Sequence, residues 1–154
     1  MENLHFFCYN LDKYACKNQK EKVSVIMNLK VGDKIELTEL VDEQHTAATW
    51  GSGSLPVYAT PAMGLLVEKA AVALLEGKLD EGMTSVGTKL NIQHLSATPL
   101  NQTVTCTCSL IEIDRKRLSF HVEITDANGR AGNCTHERFI VEGKSFLEKV
   151  ESRF

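Results

Sequence analysis

Residues 58–75 read YATPAMGLLVEKAAVALL, which is the pattern of a long α-helix with almost no polar face. Thr60 is a good N-cap residue, and Pro61 suits the first helical position, where its missing N–H costs no hydrogen bond. After Pro61 every residue of the segment is small or apolar except Glu68 and Lys69. A helix that is apolar nearly all round is normally buried. We therefore expect this helix to form the centre of the fold.

Glu68 is the anomaly in this helix. A carboxylate among apolar neighbours must be paired, hydrogen-bonded or placed in a cleft, because an unpaired buried charge is very costly. Two interpretations are open. Glu68 either forms a buried structural ion pair, for instance with Arg138, or it serves as a reactive group.

Strand patterns stand on both sides of the predicted helix. One run precedes it, and four follow it, at residues 34–41, 84–95, 103–114, 118–125 and 131–142. Gly77 suits a left-handed end to the helix, and Asn128-Gly129 is the strongest short hairpin signal. Because no helix separates the last four runs, we expect them to be consecutive antiparallel strands. A short amphipathic helix is predicted at residues 145–151.

The run at residues 84–95 carries a histidine on its apolar side. Strict alternation places one set of side chains together, namely Val86, Thr88, Leu90, Ile92 and His94. His94 is therefore either a core histidine with satisfied hydrogen bonds or a functional group.

One buried helix with about five antiparallel strands is an α+β architecture. A curved sheet that wraps a single apolar helix has the shape of a hotdog fold, which we assign to residues 27–154. Residues 1–26 have a different texture and read as an N-terminal appendage of unclear role, and Met27 is a candidate initiator.

Composition excludes several function classes. The net charge is −3 over 154 residues, and the lysines and arginines are scattered, which argues against nucleic-acid binding. The five cysteines lack metal-ligand spacing, and Cys106 and Cys108 look like small core residues. No apolar run approaches the ~20 residues of a membrane span, and no signal peptide is evident. We expect a cytoplasmic protein without metal or cofactor.

The segment at residues 42–55 is polar and rich in glycine and serine, with Trp50 near its end. It is either a lid over a site or a plain connection.

Three ordered motifs resemble a known family. They are YATP leading to LLVEKA within residues 58–70, TSVGT leading to HLSATP within residues 84–99, and GNCTHER at residues 132–138. Together they resemble hotdog-fold acyl-CoA thioesterases of the fluoroacetyl-CoA thioesterase type. The resemblance runs from about Met27 to the C-terminus.

The resemblance implies an acyl-CoA substrate and a homodimer, often with sheets joined edge to edge and active sites at the subunit interface. It leaves open whether dimers pair further into a tetramer. By motif, it assigns the chemistry to Thr60, Glu68 and His94, and it places Gly87 and Arg138 near bound substrate.

The residue types fit thioester hydrolysis, which needs a nucleophile or activated water, a proton shuttle and donors for the oxyanion. Glu68 could attack the carbonyl or activate water, and His94 could carry the proton to the departing thiolate. Thr60 could orient either group, and backbone N–H groups near Gly87 could bind the oxyanion.

Each site residue also has a purely structural interpretation. Thr60 could be only a helix cap, and Gly87 could mark a β-bulge. Arg138 could form a cross-strand salt bridge, and since His136, Glu137 and Arg138 alternate in a strand, they cannot all face one site.

The favoured function is therefore hydrolysis of a short or medium acyl-CoA thioester. The alternative is a non-catalytic dimer that binds acyl-CoA or another ligand. A hydratase on the same fold is a weaker possibility, because the chain lacks a separate Asp-His motif for it.

Overall fold

The computed structural model describes Ile26 and residues 28–154, and the appendage and the Met27 start predicted above lie outside them apart from Ile26. The elements follow in the order β1 (Lys34–Leu40), a 3-10 turn (Glu43–His45), α1 (Ala47–Trp50), α2 (Thr60–Leu75), β2 (Met83–His94), β3 (Thr103–Asp114), β4 (Arg117–Asp126), β5 (Gly129–Glu142) and α3 (Gly143–Glu151).

The five strands form one antiparallel sheet with the order β1-β3-β4-β5-β2. Two tight turns connect its centre: Arg115 has a φ of 56° between β3 and β4, and Gly129 has a φ of +118° where β5 begins. β1 and β2 are therefore the free edges. The predicted α+β hotdog architecture, with about five strands and one long helix, is confirmed.

α2 packs against one face of the sheet, chiefly on β1 and β3 and to a smaller extent on β2 and β5. The buried helix residues are Ala62, Met63, Gly64, Leu66, Val67, Ala70, Ala71, Leu74 and Leu75. Cys106 and Cys108 are free and fully buried in this core, as expected. Burial raises the pKa of each thiol to about 12, so both are protonated, apolar fillers.

The predicted burial of α2 on all sides is wrong for the protomer. Leu65 is 40% exposed and Val72 is 51% exposed, and the Glu68 side chain between them is 43% exposed. These residues recur every three or four positions, so they lie on one face of the helix. The sheet covers the opposite face only, and an apolar stripe is left open.

The predicted N-cap is also wrong. Ala59 is the N-cap and makes no side-chain cap hydrogen bond, whereas Thr60 is already helical, with Pro61 beside it in the first turn. The Thr60 hydroxyl is engaged with His94 instead of the helix backbone. At the other end, Gly77 has a φ of +67°, and the predicted left-handed stop is confirmed.

The alternation predicted for β2 fails at a β-bulge. Gly87 pairs with Arg138, and the next pair is Lys89 with Glu137, so Thr88 is an extra residue. Because of this extra residue, the side chains of β2 that precede the bulge point to the face of the sheet opposite to the one that strict alternation assigns them. Gly87 consequently lies on the same side as His94, which strict alternation had separated.

The segment between β1 and α2 is folded locally. The Thr46 hydroxyl accepts a hydrogen bond from the Thr49 N–H at the start of α1, and the Trp50 indole donates to the Gln44 carbonyl at 2.6 Å. A lid function for this segment stays a prediction. In the part of the chain that the structure describes, no helix is long and apolar enough to cross a membrane.

Candidate active site

Glu68 points from the open stripe of α2 towards the edge of the sheet. Its Oε1 lies 3.5 Å from Nη1 of Arg138 on β5. The Arg138 side chain is 7% exposed, so the pair joins a buried cation to a half-exposed carboxylate. The ion pair with Arg138, which was the structural interpretation of Glu68, is thus present, although the carboxylate side chain is still 43% exposed.

Arg138 is held by its own network. Its Nε donates to Ser85 Oγ and its Nη2 donates to the Ser85 carbonyl, both at 2.9 Å. Nη1 lies 3.3 Å from Nε2 of His136. Burial lowers the pKa of the guanidinium and the nearby Glu68 opposes that shift. Arg138 therefore lies on the buried side of Glu68, and its hydrogen bonds to Ser85 and His136 keep it there.

Gly87 is the residue that lets this carboxylate lie against the sheet. A Cβ atom built on Gly87 would collide with Glu68 Oε1 and would lie 3.4 Å from the His136 ring. Gly87 precedes the bulge in β2, so the structural interpretation of this glycine is also correct. The bulge turns Gly87 towards α2, and the missing side chain of Gly87 makes room there for the Glu68 carboxylate.

Thr60 and His94 form a second group at the start of α2. Thr60 Oγ1 and His94 Nδ1 are hydrogen-bonded at 2.9 Å, across 34 residues of sequence. The other ring nitrogen of His94, Nε2, is buried and has no hydrogen-bond partner in the described part of the protein. Tyr58 lies edge-on to the imidazole, with ring centroids 6.4 Å apart, and its hydroxyl donates to Glu39 at 2.7 Å.

Two cavities in the described part of the protein have Glu68 in their lining. The larger, of about 610 Å³, is lined by both Thr60 and Glu68 and has an apolar wall that includes Trp50, Leu65 and Ile92. The second, of about 400 Å³, is lined by Glu68, Arg138 and neighbouring helix residues. Glu68 lies where the two cavities meet.

The predicted residues form two clusters within one protomer. Glu68, Arg138 and Gly87 are together, as are Thr60 and His94. Thr60 and Glu68 are eight residues apart on α2, which is about 12 Å along the helix axis. Both face the larger cavity, but one protomer does not bring His94 into contact with Glu68.

Two supporting residues were missed by the sequence analysis. His136 shares the helix-facing side with Arg138, whereas Glu137 lies on the opposite face of the sheet, where it meets Lys89. The two-residue spacing of His136 and Arg138 was the available signal. Ser85 offered no signal, because the bulge had to be known before its side could be assigned.

No metal centre is evident in residue 26 or residues 28–154, where no three His, Cys, Asp or Glu side chains could hold an ion together.

Comparison with known proteins identifies the family. Residues 41–144 match the family model of the fluoroacetyl-CoA-specific thioesterases. The chain is 36% identical over 97 residues to the fluoroacetyl-CoA thioesterase of Streptantibioticus cattleyicolor, covering 63% of this chain and 70% of that protein.

Solved structures give the same result at the level of the fold. A fluoroacetyl-CoA-specific thioesterase, FlK, superposes with a TM-score of 0.76 at 30% identity, covering 82% of this chain and 98% of that one. A hot-dog-like protein from Thermanaerovibrio acidaminovorans, at 24% identity, has a TM-score of 0.77 over 82% of this chain and 93% of its own, and supports the fold alone. This chain therefore belongs to the fluoroacetyl-CoA-specific thioesterase family and is a thioester hydrolase with the hotdog fold.

Proposed function

We propose that the protein hydrolyses a short or medium acyl-CoA thioester to a carboxylate and CoA, with Glu68 as the general base or nucleophile. The observation that carries the proposal is the position of Glu68 at the junction of two largely apolar cavities, beside a buried guanidinium. A carboxylate held there meets the acyl group of a substrate on its free side. Relatives named for fluoroacetyl-CoA support a CoA ester as the substrate class.

Glu68 can act in two ways. It either attacks the thioester carbonyl to give a mixed anhydride, or it takes a proton from a water that attacks in its place. In both cases the carboxylate must be ionised and aimed at the carbonyl carbon. Arg138 supports the second requirement, because its guanidinium is fixed in the protein and lies 3.5 Å from Oε1 of Glu68.

Thr60 and His94 supply the second half of the proposed chemistry. Nδ1 of His94 is occupied by Thr60 Oγ1, so the bond fixes the orientation of the imidazole and leaves Nε2 to exchange a proton. In this role His94 delivers a proton to the departing CoA thiolate, and Thr60 holds the ring in place.

Gly87 and the bulge that follows it are the proposed site for the carbonyl oxygen. A glycine lets substrate approach the backbone, and an extra residue in one strand interrupts the regular ladder. Backbone N–H groups in that segment would stabilise the developing oxyanion.

A homodimer is part of the proposal, because the protomer leaves both the site and an apolar surface open. The exposed stripe of α2 carries Leu65 and Val72, and the adjacent strand β2 is a free edge of 12 residues with Leu90 41% exposed. A second copy joined at β2 would cover these residues. It would also bring the His94 cluster of one protomer towards Glu68 of the other. Whether two dimers then pair is outside the proposal.

A release assay for free thiol tests this function. We expect wild-type protein to cleave acetyl-, fluoroacetyl-, butyryl- and octanoyl-CoA at different rates, with at least one substrate turned over well above the uncatalysed rate. Thermal denaturation with the same esters provides the comparison. Stabilisation by CoA esters without any thiol release would instead select the non-catalytic binding dimer.

A CoA ester as substrate accords with the cytoplasmic location expected from the sequence.

A further inference from the structure

His136 is a buried histidine that the proposed chemistry does not use. It lies on β5 opposite Leu90, is 1% exposed, and stacks on Phe120 with ring centroids 5.9 Å apart. In a histidine the hydrogen bond made by one ring nitrogen sets which of the two nitrogens carries the proton.

The two contacts of His136 specify one tautomer. Nδ1 lies 2.8 Å from the Lys89 carbonyl oxygen, which can only accept, so Nδ1 carries the proton. Nε2 lies 3.3 Å from Arg138 Nη1, which can only donate, so Nε2 presents its lone pair. A protonated ring would place an N–H against the guanidinium. The ring is therefore neutral.

The electrostatic surroundings of His136 agree with that assignment. Burial lowers the pKa of His136 below its usual 6.5, and the Arg138 charge lowers it further. The hydrogen bond to Lys89 and the charges of Glu68 and Glu137 act in the opposite direction. Burial is the largest of these effects, and it keeps the ring neutral near pH 7.

The position of His136 connects the bulge to the carboxylate. Lys89 is the first paired residue after the bulge in β2, so one side of the ring is fixed to the segment next to Gly87. The other side is fixed to Nη1 of Arg138, the same nitrogen that faces Glu68 Oε1. Ser85 accepts from Nε and Nη2 of Arg138, and His136 is the hydrogen-bond acceptor at Nη1, so the planar guanidinium is anchored at all three nitrogens.

We propose that His136 is a positioning residue of the thioesterase site, whose neutral imidazole accepts from Arg138 and thereby holds the Glu68 carboxylate in its reactive orientation. This inference rests on the proposed role of Glu68. It assigns no contact between His136 and substrate, so its loss should lower kcat and leave KM nearly unchanged.

Two substitutions separate positioning from simple packing. In His136→Gln, the amide oxygen can replace Nε2 as the acceptor for Arg138. In His136→Asn, the shorter amide can replace Nδ1 as the donor to the Lys89 carbonyl but does not reach Arg138. We expect the Gln variant to keep kcat within about fivefold of wild type and the Asn variant to lose roughly 10–100-fold, since small misplacements of a reacting group are costly. His121→Gln, at an exposed position of β4, is the matched control and should be fully active.

Nitrogen NMR of the wild-type imidazole gives a readout that needs no variant. We expect the His136 ring at pH 7.5 to show a protonated Nδ1 and an unprotonated Nε2. An imidazolium, or the opposite tautomer, would overturn the inference even if neither variant folds. Full kcat in the folded Asn variant would overturn it as well, as would equal losses in the Asn and Gln variants.

The turnover of Glu68→Ala, measured in the same assay, distinguishes the proposed function of Glu68 from the positioning role of His136. If that variant keeps its turnover, the proposed function of Glu68 is wrong. If Glu68→Ala is inactive while His136→Asn keeps full kcat, only the positioning role fails.

Discussion

The Glu68 carboxylate can lie against β2 at residue 87 because that residue is a glycine and has no side chain. A methyl group on Gly87 would collide with Oε1 of Glu68. The carboxylate is half-exposed and can swing outwards, so the fold tolerates the change better than the site does. We therefore expect a change at this contact to affect the proposed chemistry more than the stability of the fold.

Gly87→Ala should consequently lower kcat by roughly 10–100-fold, because it moves the carboxylate that we propose as the reacting group, while the melting temperature changes little. Steady-state kinetics and thermal denaturation of the same preparation check both parts. Gly143→Ala is the matched control, since a Cβ there meets its neighbours at ordinary distances of 3.6 Å or more. Unaltered kcat in Gly87→Ala would show that Glu68 does not need its present position.

The elements were predictable where the signal is local. The alternation of apolar and polar residues in β3 and β4 predicted strands close to those observed, and the apolar run of residues 62–75 predicted α2. The N-cap was missed because the Thr60 hydroxyl finds a partner on β2 instead of in its own helix. Local propensity cannot anticipate a hydrogen bond across 34 residues.

The β-bulge in β2 is the other limit on prediction. One extra residue, Thr88, moves Ser85 and Gly87 to the side of the sheet that faces Glu68. Sequence periodicity alone assigns those residues to the wrong face, and the bulge is fixed only by pairing with β5. The sequence motifs identified the proposed site residues, whereas the contacts of Arg138 with Ser85, His136 and Glu68 could be seen only in the structure.

The open stripe of α2 and the free edge of β2 make a prediction about assembly. Val72→Glu places a charge in the centre of the proposed interface, where burial without a partner is costly, and should convert dimer to monomer. Sedimentation at several protein concentrations measures the change. Leu147→Glu is the control, because Leu147 is similarly exposed, at 56%, but belongs to α3 and not to α2 or β2. A wild-type monomer, or a Val72→Glu dimer of unchanged affinity, would contradict the proposed interface.

For the molecule as a whole, buried titratable groups predict a loss of stability at both ends of the pH range. Burial raises the pKa of Cys106 and Cys108 from 9.0 to about 12 and that of Cys134 to about 11. Above pH ~9 the unfolded chain loses protons that the folded protein keeps, so stability should fall by up to ~1.4 kcal/mol per pH unit for each thiol.

On the acid side the sign is reversed. The lowered pKa of His136 means that the unfolded chain takes up a proton below pH ~6.5 while the folded protein does not. The free energy of unfolding should therefore fall as the pH drops from that value towards the lower pKa of the folded state. Urea denaturation between pH 5 and pH 11, with a reducing agent, checks both limbs. Stability that is constant from pH 9 to pH 11 would contradict the assigned burial of the thiols.

The separation of the two clusters predicts how subunits share the site. If Thr60 and His94 of one protomer serve Glu68 of the other, inactive Thr60→Ala and Glu68→Ala proteins should complement each other when mixed. Half of the dimers would be mixed, and each would contain one intact site, which gives about a quarter of wild-type activity for a two-fold dimer. Refolding the two variants together and measuring thiol release tests this. Recovery would fail if each protomer held a complete site.

The role of Glu68 is the centre of this account, and a single comparison of turnover tests it. Glu68→Gln preserves the shape of the side chain but cannot accept a proton or attack a carbonyl. Thiol release from the best acyl-CoA substrate should fall by ~10²–10⁴ relative to wild type, the range for an acid–base group. Glu81→Gln, an exposed position in the turn after α2, should show wild-type turnover. A folded Glu68→Gln protein that releases thiol as fast as wild type would contradict the account.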